Sequence, residues 1–153
     1  MNTFGKALFD FVKATLERYQ LPVSDSAVHL LMMIMAHESG NFRYVKQQGG
    51  PALGLCQMEP LTFVFVMGYL ARRKRFVLLE RHYSAEMMAV DSAFAIAVAR
   101  VYLWTFAEPL PSASDYEGLA KYAKKYWNTT AGKATEQDYL NAFNAMRLDY
   151  EVD

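Results

Sequence analysis

The most constraining feature of the sequence is an apolar stretch, residues 27–36, that is followed by His37 and the acid Glu38. Apart from His29, every residue of this stretch is apolar, so a helix formed here would have no polar face. A helix that is apolar on almost all sides is usually buried at the centre of a domain. The stretch is about half as long as the roughly 20 residues that a membrane-spanning helix needs. We therefore expect a central core helix that carries Glu38 at its end.

Helical periodicity extends along nearly the whole chain. Apolar residues recur at three- and four-residue steps in six segments, which are separated by Pro- or Gly-bearing stretches. The predicted helices cover residues 4–19, 24–38, 60–70, 85–106, 115–127 and 135–147, with a loop over 40–53. No strand pattern is convincing, although residues 63–66 are ambiguous in isolation. The sequence predicts one all-α domain of about six helices over residues 1–153.

Charge and composition argue against several partners. The chain has 16 basic and 16 acidic side chains and a formal net charge of zero, so it lacks the strong field that attracts nucleic acid. The basic run at residues 72–75 is interpreted as the solvated end of a helix. The single cysteine excludes an intramolecular disulfide, as expected of a protein made in a reducing cytosol. The N-terminal residues lack signal-peptide features, and we expect neither export by a signal peptide nor membrane insertion.

Metal and cysteine chemistry are both disfavoured. His29, His37 and His82 lack the i, i+4 spacing of a zinc-binding pair on a helix, and one cysteine cannot build a structural zinc site. We expect ordinary buried or surface histidines and no cofactor. Cys56 could act as a nucleophile if a histidine approached it. Its apolar neighbours instead favour a small buried residue.

Glu38 is the leading candidate for catalysis. A carboxyl at the mouth of an apolar helix keeps its proton more readily, because desolvation disfavours the charged form. A carboxyl protonated near neutral pH can act as a general acid. The loop after it leaves it unroofed, and a second turn carries an amide, Gln57; Gly49, Gly50 and Gly54 would let a polymer approach the backbone closely. The alternative is an ordinary exposed residue at a helix end.

Several aromatic residues could stack on sugar faces, namely Tyr116, Tyr122, Tyr126 and Trp127. An aromatic side chain combines a large apolar face with, in Tyr and Trp, a polar group at its edge. Each of the four, considered singly, is more typical of a core position. They are therefore predicted as a platform only in combination with Glu38.

Two motifs resemble those of a known family. His37-Glu38-Ser39-Gly40, followed by residues 54–62 with the sequence Gly-Leu-Cys-Gln-Met-Glu-Pro-Leu-Thr, resembles the Glu-Ser … Gly-Leu-Met-Gln-x-x-Pro-x-Thr signature of soluble lytic transglycosylases and goose-type lysozymes. Residues 122–132 are similar to the family's Ala-Tyr-Asn-Ala-Gly motif, and residues 91–103 to the helix that backs its cleft. The resemblance spans about residues 27–132 and is most like bacteriophage-encoded members.

The resemblance implies a lysozyme-like fold and a role for each matching residue. Glu38 matches the single catalytic acid of the family. Ser39 matches the neighbour that hydrogen-bonds near that acid. Gly54, Leu55 and Gln57 match the turn that lines the glycan groove.

The third motif departs from the family's pattern. Asn128 matches its Asn, but Trp127 stands where the family usually has Tyr, and the hydroxyl is lost. Tyr122 or Tyr126 is therefore expected to supply the aromatic contact to the substrate. Cys56 replaces the usual Met, a change expected to affect packing only.

The implied function is cleavage of peptidoglycan between N-acetylmuramic acid and N-acetylglucosamine. Glycosidases usually use two carboxylates, but one suffices if the substrate's N-acetyl group assists. Glu59 is not a convincing second one, since it precedes Pro60 at a helix start, where the helix dipole alone favours an acid. Glu38 is expected to protonate the glycosidic oxygen and then to accept a proton from the muramyl 6-hydroxyl, which leaves a 1,6-anhydro end.

Two alternatives stay open. Attack by water would make the protein a hydrolytic muramidase with the same residues. The chain could also be a non-catalytic structural or wall-binding component of a virion, since a fold does not guarantee a chemistry. Its partners would be peptidoglycan strands and, in a virus particle, other virion proteins. Delivery to the cell wall in such a particle is the favoured route, and release after the inner membrane is breached is the other.

Overall fold

The computed structural model describes residues 1–73, 84–129 and 131–148. These parts of the chain form six α-helices: α1 Thr3–Arg18, α2 Asp25–Glu38, α3 Pro60–Arg72, α4 Ser92–Trp104, α5 Tyr116–Tyr122 and α6 Glu136–Leu148. The described residues contain no β-strand and only two isolated bridges, which join Leu53 to Lys46 and to Met58. The predicted all-α class with about six helices is confirmed. None of the described helices is both long enough and apolar enough to cross a membrane.

Helix α2 forms the centre of the core. The Ser24 hydroxyl caps it by accepting a hydrogen bond from the Ala27 backbone N–H at 3.1 Å. All its residues from 27 to 36 except His29 are buried, because α1, α4, α5 and α6 all pack against it. An apolar sequence without a polar face therefore suits a helix that has neighbours on every side. Glu38 is the last residue of α2 and lies where the core meets the surface.

Helices α1 and α6 are joined at the two ends of the described chain. The Asn2 side chain caps α1 by accepting a hydrogen bond from the Gly5 N–H at 2.7 Å. Its amide donates to the Met146 carbonyl at 3.1 Å, and its backbone N–H donates to the Arg147 carbonyl at 2.8 Å. Helix α6 packs extensively on α2 and turns a buried face toward the core. This packing brings the first turn of α6 to the end of α2.

The helix predicted over residues 85–106 is divided. A short 3-10 turn, Ala85–Ala89, comes first, and α4 begins only at Ser92. The Asp91 carboxylate accepts a hydrogen bond from the Phe94 N–H at 2.9 Å and so provides an N-terminal cap. The periodic apolar pattern runs through both pieces, which explains why one helix was expected.

The helix predicted over residues 115–127 also differs from the structure. Helix α5 ends at Tyr122, and the chain continues as one π-helical stretch, Ala123–Asn128, called here the π segment. π-Helical turns are rare and are frequently found at functional sites. At its end, Thr129 has φ 69° and ψ 168°, a backbone region that is essentially restricted to glycine.

The first two residues of the basic run, Arg72 and Arg73, lie at the end of α3, as expected. Arg72 is the last residue of α3, and both Arg72 and Arg73 are exposed. The Arg73 guanidinium lies over the Tyr69 ring, 4.4 Å from its centroid. The other two residues of the run, Lys74 and Arg75, lie outside the described residues.

Candidate functional site

A groove of about 300 Å³ opens beside the end of α2. Its walls come from α2, the turn at residues 54–58, the start of α3, α4 and the π segment. The lining residues are Glu38, Gln57, Met58, Glu59, Thr62, Tyr102, Trp127, Asn128 and Thr129. Three residues singled out in separate sequence motifs, Glu38, Gln57 and Asn128, are thus brought together in one groove.

Glu38 is held in a mostly buried position on the groove wall. The Tyr139 hydroxyl donates a hydrogen bond to Glu38 Oε1 at 2.5 Å. Burial raises the pKa of the Glu38 carboxyl above its ordinary value of 4.5, and this effect outweighs the Tyr139 hydrogen bond and the neighbouring His37 charge, which both lower it. The carboxyl therefore keeps its proton to a higher pH than an exposed glutamate does, as a general acid requires.

Tyr139 is the partner of Glu38 that the sequence did not reveal. It lies in α6, 101 residues away along the chain, and is fully buried. Burial raises the pKa of Tyr139 strongly, and the Glu38 charge raises it further. The phenol therefore stays neutral and can donate a hydrogen bond. Its ring also lies 4.3 Å from that of His37. Helical periodicity predicts a core position for Tyr139 but carries no signal of its polar partner.

Ser39 shapes the chain after α2 and is absent from the groove lining. It is fully buried, and its hydroxyl donates to the Met35 carbonyl at 2.6 Å and accepts from the Phe42 N–H at 2.6 Å. Both Asn41 and Phe42 have left-handed backbone angles, with φ 58° and 64°. Ser39 thereby turns the chain sharply away and leaves Glu38 open to the groove.

The second turn presents Gln57 to the groove. Gly54 has φ +77°, and a Cβ there would lie 2.6 Å from the Met88 carbonyl oxygen, so only glycine fits. Gln57 also adopts a left-handed conformation, φ 51°, and its amide donates to the Gly54 carbonyl at 2.7 Å. Leu55 does not line the groove; it is half-buried and packs against the core.

Cys56 is buried and has a structural position. It is 1% exposed, and burial raises the pKa of its thiol, which leaves it without the thiolate that a nucleophile needs. Its carbonyl accepts a hydrogen bond from the indole Nε1–H of Trp127 at 3.1 Å. The Trp127 ring lies 5.6 Å from that of Tyr102. The indole thus joins the π segment to the turn on the other side of the groove.

The tyrosines expected to contact substrate lie elsewhere. The Tyr122 hydroxyl donates to the Glu108 carbonyl at 3.0 Å, and that of Tyr126 donates to the Glu108 carboxylate. Tyr116 packs against residues of α2 and α6. None of the three is part of the groove lining. The tyrosine of the lining is Tyr102, from α4. The motif resemblance predicts that this helix backs the cleft, but it does not single out Tyr102.

The groove contains a second carboxylate, Glu59, which is exposed. It precedes Pro60, the first residue of α3, and makes no side-chain capping hydrogen bond. Its carboxylate is therefore not engaged in capping and faces the same space as Glu38. The sequence predicts only a helix-start position for Glu59, and the structure adds its place in the groove.

A second, more apolar depression of about 370 Å³ adjoins the groove. The two share Thr62 and Tyr102, and the depression continues between α3 and α4 past Phe65 and Phe106. Phe65 is 47% exposed. The combined surface is elongated and open, and it suits an extended ligand better than a small molecule that must be enclosed.

The two histidines in the described part of the chain, His29 and His37, belong to no metal-binding cluster. Within the described ranges, no group of three or more His, Cys, Asp or Glu residues could hold a metal ion. His29 Nδ1 lies 2.8 Å from the Ala113 carbonyl, and His82 lies outside the described residues.

The site thus offers a proton-holding carboxyl, two amides and aromatic faces along an open groove. No protein-family model, no curated protein and no solved structure matches this chain.

Proposed function

We propose that this protein is a peptidoglycan-cleaving lytic transglycosylase with a lysozyme-like fold, in which Glu38 acts first as general acid and then as base. The observation that carries the proposal is the position of Glu38: a carboxyl with a raised pKa, bound by Tyr139, on the wall of an open groove. The motif resemblance assigns the same residue to the same role.

The chemistry follows from the two influences on Glu38. Burial favours the protonated form, which gives its proton to the glycosidic oxygen between N-acetylmuramic acid and N-acetylglucosamine as that bond breaks. The hydrogen bond from Tyr139 favours the carboxylate that results. This carboxylate then takes the proton of the muramyl 6-hydroxyl as the oxygen closes on C1. The substrate's own N-acetyl group assists the departure, and a 1,6-anhydro end is formed.

The shape and chemistry of the groove support a glycan substrate. Gln57 and Asn128 supply amide groups, which donate to and accept from sugar hydroxyl and acetamido groups. Trp127 and Tyr102 supply aromatic faces. Gly54, Leu55 and Ser39 shape the turns behind these groups, and Tyr122 and Tyr126 brace the π segment through Glu108. Delivery to the cell wall in a virus particle, with other virion proteins as partners, stays a prediction.

A hydrolytic muramidase is the second candidate, and Glu59 favours it. An inverting glycosidase needs a second carboxylate across the bond to activate water. Glu59 is exposed in the same groove as Glu38 and is free of a capping role. If Glu59 is that base, its removal stops cleavage; if Glu38 works alone, cleavage continues without it.

Mass spectrometry of muropeptides released from purified peptidoglycan tests both candidates. The wild type is expected to release anhydro products, one water lighter than hydrolytic ones. Glu38→Gln keeps the side-chain shape but has no proton to give, so cleavage should fall by at least about 100-fold while the circular dichroism spectrum is unchanged. Appreciable cleavage by this variant would contradict the assignment of Glu38 as the general acid. Glu59→Gln is the matched amide control. Full activity of this variant supports the transglycosylase. Loss of its activity, together with hydrolytic products from the wild type, supports the muramidase.

A non-catalytic role gives a third, distinct result. A wall-binding module would sediment with purified peptidoglycan and release no muropeptide in either wild type or Glu38→Gln. That outcome overturns the enzymatic proposal outright.

A further inference from the structure

A line of hydrogen bonds runs from a lysine behind the groove to Glu38. The Lys124 ammonium donates to Asn128 Oδ1 at 2.7 Å and to the Gly132 carbonyl at 2.8 Å. Asn128 lines the same groove as Glu38, and its side chain acts as a hydrogen-bonding partner that lowers the pKa of the Tyr139 hydroxyl. That hydroxyl in turn donates to Glu38 Oε1. Three successive contacts therefore separate a positive charge from the candidate acid.

The lysine determines which way the Asn128 amide faces. An ammonium has only protons to donate, so the amide oxygen must face Lys124 and the amide NH2 must face the other way, toward Tyr139. The NH2 can only donate, so the Tyr139 oxygen accepts from Asn128. The single phenolic proton of Tyr139 is then left for Glu38.

The surroundings of Asn128 are shaped for this arrangement. A Cβ at Gly132 would lie 2.2 Å from Asn128 Oδ1 and 2.6 Å from its Cγ, so only glycine leaves space for the amide. Lys124 and Asn128 both belong to the π segment and are both half-buried. A hydrogen bond to a charged group is stronger where it is partly shielded from water than where it is fully exposed.

We propose that Lys124 is a positioning residue that fixes the Asn128 amide and so commits the Tyr139 proton to Glu38. Without the ammonium, the amide is free to turn over and offer its oxygen to Tyr139. The phenolic proton is then shared with Asn128, and the Glu38 carboxylate loses its donor. The consequence for catalysis rests on the proposed function, whereas the consequence for Glu38 ionisation does not.

The other ionisable groups around Glu38 are unchanged by this test. They are His37 on α2, Cys56 in the second turn, Tyr139 on α6 and Glu59 in the groove. Lys124 donates its hydrogen bonds to Asn128 and Gly132, and its influence on Glu38 passes through Asn128 and Tyr139. A through-space effect of its charge is the competing explanation.

NMR titration with isotope-labelled glutamate measures the Glu38 pKa directly, and Glu38→Gln identifies the resonance. Lys124→Met should raise the pKa of Glu38 by about one, because a carboxylate that loses a hydrogen-bond donor holds its proton more tightly. Lys124→Arg should restore the wild-type value. The matched control Lys121→Met removes an exposed lysine of α5 and should leave the titration unchanged. An unchanged Glu38 pKa in Lys124→Met would overturn the proposal.

A double-mutant cycle separates positioning from a through-space effect. In a Tyr139→Phe background, Lys124→Met should have no further effect on the Glu38 titration, since the route through the phenol is gone. An equal rise with and without Tyr139 would show that the lysine acts by its charge alone and would overturn the proposal.

The wild-type protein provides a test that needs no folded variant. The side-chain NH2 resonances of Asn128 should titrate together with Glu38, because Tyr139 links the two groups. A flat titration of these resonances would contradict the line of contacts. If the wild type cleaves peptidoglycan, Lys124→Met should also move the alkaline limb of its pH–rate profile upward by the same amount. If it cleaves none, the proposed function fails while the NMR result still decides the role of Lys124.

Discussion

The two walls of the groove are built in different ways. One wall consists of the end of α2 and the turn at residues 54–58, and it stands directly on the buried core. The other is the π segment, in which packing of Ala123 and Trp127 against the core is supplemented by side-chain hydrogen bonds, from Trp127 to the Cys56 carbonyl and from Lys124 to Asn128 and Gly132. The comparison indicates that packing fixes the position of the acid and, by burying it, raises its pKa, whereas side-chain hydrogen bonds fix the position of the opposite wall.

The largest expected effect comes from removing packing beneath the first wall. Ile34 is fully buried in α2, and Ile34→Ala should lower the free energy of unfolding by about 2–5 kcal/mol, because it loses apolar burial and leaves a cavity. Urea denaturation measures this loss. Val64→Ala, on the exposed face of α3, is the control and should change stability by less than about 0.5 kcal/mol. Similar values for the two variants would contradict the packing account of this wall.

The first wall is also the part of the site that could be read from the sequence. The apolar run places α2 in the core and Glu38 at its end, and the glycine at position 54 marks a turn that no other residue fits. Each of these signals is local: a run of neighbouring residues determines burial, and a backbone angle demands glycine. Local signals need no knowledge of the rest of the fold.

The second wall could not be read in this way. The pattern over residues 115–127 is helical throughout, and the change to a π-helical turn after Tyr122 has no signature in the spacing of apolar residues. The partnership of Tyr139 with Glu38 joins residues 101 apart, so it depends on how α6 packs on α2. For the same reason, the sequence carries no signal that Tyr122 and Tyr126 lie outside the groove lining.

Tyr139→Phe should have the next largest effect, and the size of its effect on stability depends on pH. The variant keeps the buried ring but removes a hydrogen bond to a charged group. Such a hydrogen bond contributes about 1.5–3 kcal/mol to the free energy of unfolding. Because that hydrogen bond lowers the pKa of Glu38, the pKa rises further in the variant. Cleavage at about pH 7 should fall roughly tenfold, since the carboxylate formed after proton donation is less stable.

The pH dependence of stability gives an independent test of the same contact. The pKa of Glu38 is raised in the folded protein, so folding binds protons and stability falls as pH rises from the ordinary value of 4.5 through the folded pKa. Tyr139→Phe should therefore lower the melting temperature at about pH 7 and have little effect at about pH 4. Tyr69→Phe, which alters a half-buried tyrosine of α3 whose ring contacts Trp104 and Arg73, is the control. A loss that is equal at both pH values would mean that the Tyr139 hydroxyl contributes to stability independently of the ionisation of Glu38.

A smaller effect is expected from the contact that joins the two walls. Trp127→Phe keeps an aromatic ring but loses the N–H that donates to the Cys56 carbonyl, at a cost of about 1 kcal/mol in stability. The position of the π segment relative to the second turn should loosen, so KM for glycan strands should rise more than kcat falls. Steady-state kinetics on soluble peptidoglycan fragments separates the two constants. A fall in kcat alone would indicate that Trp127 acts on Glu38 and not on groove shape.

The smallest effect should have the opposite sign, because the second wall contains a strained residue. Thr129 has φ 69° and ψ 168°, and a β-branched residue in this glycine-only region stores about 1–3 kcal/mol of strain. Part of the relief in Thr129→Gly is offset by the greater backbone freedom of glycine in the unfolded chain, so a net gain of about 0.5–1 kcal/mol is expected. Thr105→Gly is the matched control: Thr105 has helical angles, φ −69° and ψ −18°, and the same substitution there should destabilise. Urea denaturation of the pair should therefore give shifts of opposite sign. If Thr129→Gly is more stable but cleaves peptidoglycan more slowly, the strained conformation helps to hold Asn128 and Trp127 in the groove. The second wall would then be less stable because its side chains are held in the positions that cleavage needs.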